Sequence, residues 1–99
     1  MNFSNRCYEL LTQVPSGRVT TYKAIANAMN SKAYRAVGSA MKNNPNAPQV
    51  PCHRVVNNDG RIGEYAYGVE KKIELLKNEG INVVNGKVVN FTNVLYDFN

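Results

Sequence analysis

Cys52 is followed directly by His53, the only histidine in the chain, and then by Arg54. A thiolate rather than a thiol attacks carbon, and a free cysteine has a pKa of about 8.5, so a nucleophilic Cys52 needs a partner to take its proton. The adjacent imidazole can do this, directly or through a water, provided that something orients the ring. Glu79, near the end of a helix-forming stretch, is a candidate orienter. Adjacency alone does not bring the two side chains together, because neighbours on an extended strand point apart. An inert thiol beside a core imidazole has the same sequence.

The second cysteine reads differently. Phe3, Cys7, Leu10, Leu11 and Val14 recur at helical spacing, which makes Cys7 a buried thiol on the apolar face of a first helix. Two cysteines and one histidine are a poor zinc set, and a chain with 43% hydrophobic residues does not need a disulfide, so neither a metal site nor a disulfide is expected.

Residues that do chemistry must be held by a scaffold, and 99 residues suffice for one small domain spanning 1–99. Ser4 is positioned to cap the first helix, which should stop before Pro15. Val19-Thr20 can run extended. Thr21 then caps a second helix through about Met29, with Ile25, Ala28 and Met29 inward, and a third helix follows from about Lys32 to Asn43. Two short helices joined by the polar turn Asn30-Ser31 form a plausible helix-turn-helix. On the third helix Arg35, Gly38, Ser39 and Lys42 share one side, opposite Val37 and Met41. A helical glycine costs roughly 1 kcal/mol against alanine, which close approach to another surface, a second helix or a DNA groove, would offset.

Beyond an irregular stretch from Asn44, Asn57-Asn58-Asp59-Gly60 between Val55-Val56 and Ile62 predicts a short hairpin, and Asn85-Gly86 between valine pairs predicts another. A fourth helix is expected over Val69–Glu79, burying Val69, Ile73, Leu76 and Leu75, with Gly80 as its cap. The pattern amounts to an α+β, mostly helical domain built around a winged-helix-like helix-turn-helix with short β-hairpins. The tail carrying Leu95, Tyr96 and Phe98 has no assigned element.

Net charge is +5, and its distribution is one-sided. No acid occurs between Leu10 and Asn58, while Arg18, Lys23, Lys32, Arg35, Lys42 and Arg54 do. Such a block can hold a polyanion, since each phosphate neutralised releases counterions. The chain has no apolar run long enough to span a bilayer and no secretory h-region, so a soluble, cytoplasmic protein without membrane partners is expected.

Pro51-Cys52-His53-Arg54-Val55-Val56 resembles the active-site motif of O6-alkylguanine-DNA alkyltransferases. Arg35-Ala36-Val37-Gly38 followed by Asn44-Pro45 is similar to that family's recognition helix and asparagine hinge, Thr21-Tyr22 to the start of its preceding helix, and Lys72, Leu75-Leu76 and Glu79-Gly80 to the helix bearing its glutamate. The blocks occur in order and cover roughly residues 3 to 81. The resemblance implies repair of O6-alkylguanine by irreversible, single-turnover transfer of the alkyl group to Cys52. No cofactor would be needed, and the partner would be double-stranded DNA bound through the minor groove, with the protein nucleoid-associated while bound. It also implies roles. Glu79, His53 and a water would deprotonate Cys52. Ala36, Gly38 and Ser39 would let the helix approach the groove, and Arg35 would hold the gap left by the flipped base. Tyr22 would assist the leaving purine, and Asn44 would tie the turn. Main-chain groups at Cys52 and Val55 would meet the guanine edge. Tyr65 would wall the pocket, Ala66 N–H would face the leaving oxygen, and Lys72 would sit on the binding side.

Departures from the family pattern lead to further expectations. Tyr67 stands where many members have glycine and should narrow the pocket, favouring methyl over benzyl transfer. Tyr34 replaces a small residue beside Arg35. The family's N-terminal domain is missing, and the initial methionine leans toward a minimal member over a fragment. Alkyltransferase-like proteins, one-domain relatives that bind these lesions and flag them for excision-repair proteins without reacting, match in length. They characteristically carry tryptophan at the cysteine position, and this chain has no tryptophan. A helix-turn-helix regulator with an incidental cysteine would explain the basic block but neither His53 nor Glu79.

Overall fold

A computed structural model describes residues 2–98. Helix α1 (Phe3–Leu11) is capped by Asn2, whose side chain accepts from Asn5 N–H at 2.8 Å, rather than by Ser4. Asn2 stands just before the first apolar residue of the helical repeat, so Ser4 falls inside the first turn. Strand β1 (Thr20–Thr21) leads into α2 (Tyr22–Ala28), and Thr21 caps it as expected, accepting from Ala24 N–H at 3.0 Å. The inward residues of α2 are Ile25, Ala26 and Met29; Ala28 is exposed, because the helix ends there and Met29 already leaves the helical path. Asn30 closes α2 in the left-handed region at φ 55°, and Ser31 N–H reaches back to Ala26 O. Helix α3 (Tyr34–Lys42) follows.

The chain then makes a 3₁₀ turn (Cys52–Arg54) and strand β2 (Val55–Val56). The hairpin expected here does not form. The turn exists, with Gly60 N–H on Asn57 O, but β2 pairs in parallel with β1, Thr20 beside Val55 and Thr21 beside Val56. Both valines are fully buried, and a strand buried on both faces suits an interior parallel pairing better than a hairpin open to water on one side.

Helix α4 (Val69–Asn78) ends at Glu79 and Gly80. Gly80 N–H bonds Lys77 O and Ile81 N–H bonds Leu76 O, with Gly80 at φ +86°, a conformation in which a side chain is strained. Val69, expected inside, is exposed, and Lys72 is buried instead. The second predicted hairpin is present as β3 (Val83–Val84) and β4 (Lys87–Val88), antiparallel around Asn85-Gly86. The tail contributes α5 (Phe91–Val94), then binds back to Val19, just before β1: Val19 N–H donates to Val94 O at 2.9 Å and Tyr96 N–H to Val19 O at 2.7 Å.

Two apolar clusters result. One joins Cys7, Leu11 and Val14 to Ile25, Val37, Met41, Cys52 and Val55; the other joins Val19, Val56, Ile62, Leu76, Ile81 and Val88. Successive side chains of a strand face opposite sides, so Val55 enters the first cluster and Val56 the second. The β1–β2 seam thus anchors the 3₁₀ turn that carries Cys52 from both sides. The expected α+β, mostly helical architecture is what the chain adopts. Among the described residues no helix is long and apolar enough to cross a membrane.

Candidate functional site

Cys52 opens a single 3₁₀ turn whose side chains radiate about 120° apart, because the turn has about three residues per revolution. Cys52 lines a cleft of about 1000 Å³, while His53 and Arg54 both reach the carboxylate of Glu79. His53 Nε2 donates to Glu79 Oε2 at 3.0 Å, Arg54 Nε to Oε1 at 2.9 Å and Arg54 Nη2 to Oε2 at 2.6 Å. Arg54 Nη1 also holds Val14 O at 2.7 Å. Glu79 and His53, the pair singled out in the sequence, are brought together by the structure. The two-pronged clamp by Arg54 was missed, although its place beside Cys-His was the available signal.

The electrostatics favour a neutral ring over a carboxylate. Burial pushes the His53 imidazole below its ordinary pKa, against the pull of the Glu79 hydrogen bond and charge. Burial pushes the Glu79 carboxyl up, but the hydrogen bonds from Arg54 and His53 outweigh it and hold it below the usual carboxylate range. With Nε2–H given to Glu79, Nδ1 is the free acceptor of the neutral ring, and it is buried with no hydrogen-bond partner in the protein. That atom is suited to receive a proton.

Tyr22 and Tyr65 both line the cleft with Cys52. Burial raises the Tyr22 hydroxyl, with Cys52 and then Glu64 adding to the shift. Burial, followed by Cys52 and Tyr67, pushes Tyr65 up to about 12, so both phenols stay protonated as donors at neutral pH. Ala66 lines the cleft as expected. Tyr67 does not: it is 62% exposed, rests edge-on against Tyr65 at 5.5 Å, and borders a separate shallow hollow with Val69 and Glu74. The expected narrowing of the pocket by Tyr67 is therefore corrected, since its side chain turns outward.

Lys72 is the other correction. The side chain placed on the DNA-binding side is fully buried, and its Nζ donates to Val55 O at 2.7 Å and Glu64 O at 3.0 Å. Burial lowers the ammonium pKa to about 8, with Cys52 opposing the shift. Lys72 binds two main-chain segments beside the nucleophile rather than phosphates. Val55 O, expected to meet the guanine edge, already accepts from Lys72, though a carbonyl retains a second lone pair.

Arg35, Gly38, Ser39 and Lys42 line the cleft from α3, with Tyr34 beside them; Ala36 is exposed on the same helix but outside the lining. Tyr8 on α1 sets the height of α3 by donating to Ala40 O at 2.7 Å. A Cβ added at Gly38 would meet nothing within 4 Å, so intramolecular packing does not require this glycine. Gly38→Ala is accordingly expected to stabilise the isolated protein by about 1 kcal/mol, through helix propensity, while weakening duplex binding. Denaturant titration and a DNA-binding isotherm check the two signs, and unchanged affinity would refute the groove-approach reading.

Asn44, 7% exposed, donates from Nδ2 to Val50 O at 2.7 Å and accepts from Asn46 N–H at 3.0 Å, tying the segment between α3 and Cys52. Asn44→Ala should cost about 1–3 kcal/mol, because the two hydrogen bonds that tie this segment are lost. A midpoint shift in urea at constant slope is the expected signature. Asn57 and Asn58, from the turn expected to close a hairpin, and Gly63 and Glu64, which follow Ile62, also line the cleft and were not anticipated. Among the described residues no group of side chains is arranged to hold a metal.

Comparison with known proteins gives one family match, to the 6-O-methylguanine DNA methyltransferase DNA-binding domain, over residues 2–81. A methylated-DNA–protein-cysteine methyltransferase of Thermococcus kodakarensis is 51% identical over 80 residues, covering 80% of this chain and 45% of its own length. The crystal structure of Mycobacterium tuberculosis OGT in complex with DNA superposes with a TM-score of 0.77 at 38% identity, over 80% of this chain and 50% of that one. Schizosaccharomyces pombe Atl1, solved with damaged DNA containing O6-carboxymethylguanine, superposes with a TM-score of 0.84 at 28% identity, over 96% of this chain and 94% of that one. The chain spans from 28% to 48% of the length of the first curated relatives it matches.

Proposed function

Because the chain belongs to the 6-O-methylguanine DNA methyltransferase DNA-binding-domain family, we propose that residues 1–99 repair O6-alkylguanine in duplex DNA by moving the alkyl group onto Cys52. The observation that carries this reading is the position of Cys52 on the cleft, immediately before a buried His53 that is hydrogen-bonded at 3.0 Å to Glu79.

In the proposed reaction α3 lies along the minor groove, with Arg35 filling the gap left by the rotated nucleotide. Unstacking costs a few kcal/mol and is cheapest for a lesion that pairs badly. His53 Nδ1 takes the Cys52 proton, directly or through a water, while Glu79 stabilises the imidazolium that forms. The Cys52 sulfur attacks the alkyl carbon; the carbon–O6 bond breaks as the sulfur–carbon bond forms, and the purine leaves with the electron pair. The hydroxyl of Tyr22 and the Ala66 N–H are the donors available to that developing charge. The product is a thioether, so each molecule acts once. The chemistry uses no cofactor. The setting is chromosomal DNA in the cytoplasm.

One observation favours a second reading. The near-complete overlap with Atl1 fits a protein that marks lesions for excision repair. The presence of Cys52 on the cleft and the His53–Glu79 hydrogen bond beside it support transfer. Intact mass after mixing equimolar protein with duplex containing O6-methylguanine separates the two. A gain of one methylene with guanine restored supports transfer, and lesion-selective binding without a gain supports the sensor.

A further inference from the structure

We propose that Glu64 filters the alkyl groups this site accepts by charge, disfavouring lesions whose O6 substituent is anionic. The proposal rests on the alkyltransferase reading and extends it to substrate range.

Among the residues lining the cleft, Lys23, Arg35 and Lys42 come from α2 and α3, and Glu64 is the one acid. The cations lie where a duplex would neutralise them with phosphates. Glu64 comes instead from the segment that carries Tyr65 and Ala66, which line the same cleft. Among the described residues its carboxylate forms no ion pair. Its backbone is held from two sides. Lys72 Nζ donates to Glu64 O at 3.0 Å, and Gly63 before it adopts φ +71°, where an added Cβ would lie 3.2 Å from Asn57 Oδ1. Cys52, Tyr22 and Glu64 line the same cleft, and the charges of Cys52 and Glu64 both add to the rise of the Tyr22 hydroxyl pKa that burial causes.

A carboxylate within a DNA-binding cleft weakens attraction for phosphates. It gains selectivity by opposing a particular class of ligand, the repulsive half of specificity. A methyl substituent carries no charge for Glu64 to oppose. A carboxymethyl substituent would bring a second carboxylate into the cleft that Glu64 lines, where two like charges a few ångströms apart repel even though Glu64 is open to water. Its amide, carbamoylmethyl, has nearly the same size and no charge.

The test compares single-turnover transfer from duplexes carrying O6-methyl-, O6-carbamoylmethyl- and O6-carboxymethylguanine, for the unmodified protein and Glu64→Gln. The amide should react at least about tenfold faster than the carboxylate, since like charges repel in the cleft, and the ratio should fall toward one in Glu64→Gln. Equal rates for the amide and the acid in the unmodified protein would overturn the proposal while leaving the alkyltransferase reading intact, as would a ratio that survives Glu64→Gln. The affinities of Cys52→Ser protein for the same duplexes provide a readout without chemistry. If no lesion is transferred, the alkyltransferase reading fails, and the affinity ratio still decides whether Glu64 discriminates by charge.

Discussion

Cys52→Ser protein will bind duplex containing O6-methylguanine but gain no mass from it, and the lesion will persist at any protein excess. A hydroxyl in the same place is a far weaker nucleophile than a thiolate, and a neutral imidazole cannot ionise it. Removing an activated nucleophile typically costs several orders of magnitude, and about 10⁴ or more is expected here. The other cysteine cannot substitute. Cys7 is fully buried, its thiol lies 3.7 Å from Met29 Sδ, and burial raises its pKa. Peptide mapping of the reacted, unmodified protein should therefore find the alkyl group on Cys52 and none on Cys7. Alkylation at Cys7, or any mass gain in Cys52→Ser, would refute the assignment.

Glu79→Gln is expected to slow transfer by about 10²–10⁴, the usual contribution of a positioned proton-transfer pair, with a smaller effect on lesion affinity. Glu79 makes two contributions. Its charge stabilises the imidazolium formed when His53 takes the Cys52 proton, and its oxygens fix the ring with Nδ1 free. The amide retains one acceptor for Nε2–H but loses the charge. It also leaves Arg54, whose side chain is 15% exposed, without its anion, so a modest loss of stability should accompany the rate defect. The pH profile separates the two effects. His53 accepts a proton only when neutral, and burial depresses its pKa below the ordinary value. Transfer should then be level through neutral pH and fall only as pH drops below the usual histidine range. In Glu79→Gln the carboxylate no longer raises the ring pKa, so the acid limb should move to lower pH even as the plateau rate falls. A variant that merely unfolds more easily would lose amplitude without moving that limb. An unshifted limb with an unchanged plateau would remove Glu79 from the mechanism.

The chemistry of the site was legible in the sequence because its parts are close together or follow local rules. Cys52 and His53 are adjacent, Thr21 and Gly80 mark helix ends by backbone chemistry that acts over a few residues, and the face of Arg35, Gly38, Ser39 and Lys42 follows from helical periodicity alone. Composition and spacing thus indicated the mostly helical architecture and the one-sided basic block, while the candidate nucleophile and base came from the resemblance of the Cys52-His53 motif to a known family.

Other features depended on contacts between distant segments, which no local pattern encodes. Val55-Val56 reads equally well as one arm of a hairpin or as an inner strand, and only the burial of both faces against two clusters selects the parallel partner Thr20-Thr21. Lys72 looks like a surface base on a helix, yet tertiary packing turns it inward onto two carbonyls 17 and 8 residues away in the chain. The Arg54 clamp on Glu79 and Val14 spans 25 and 40 residues, and the cleft position of Glu64 depends on that same packing. The sequence determined which groups could react, through residue type and short spacing. The tertiary structure decided which of them are buried, which face the cleft, and which carbonyls and charges they meet, because burial and partnership are properties of the whole packed chain.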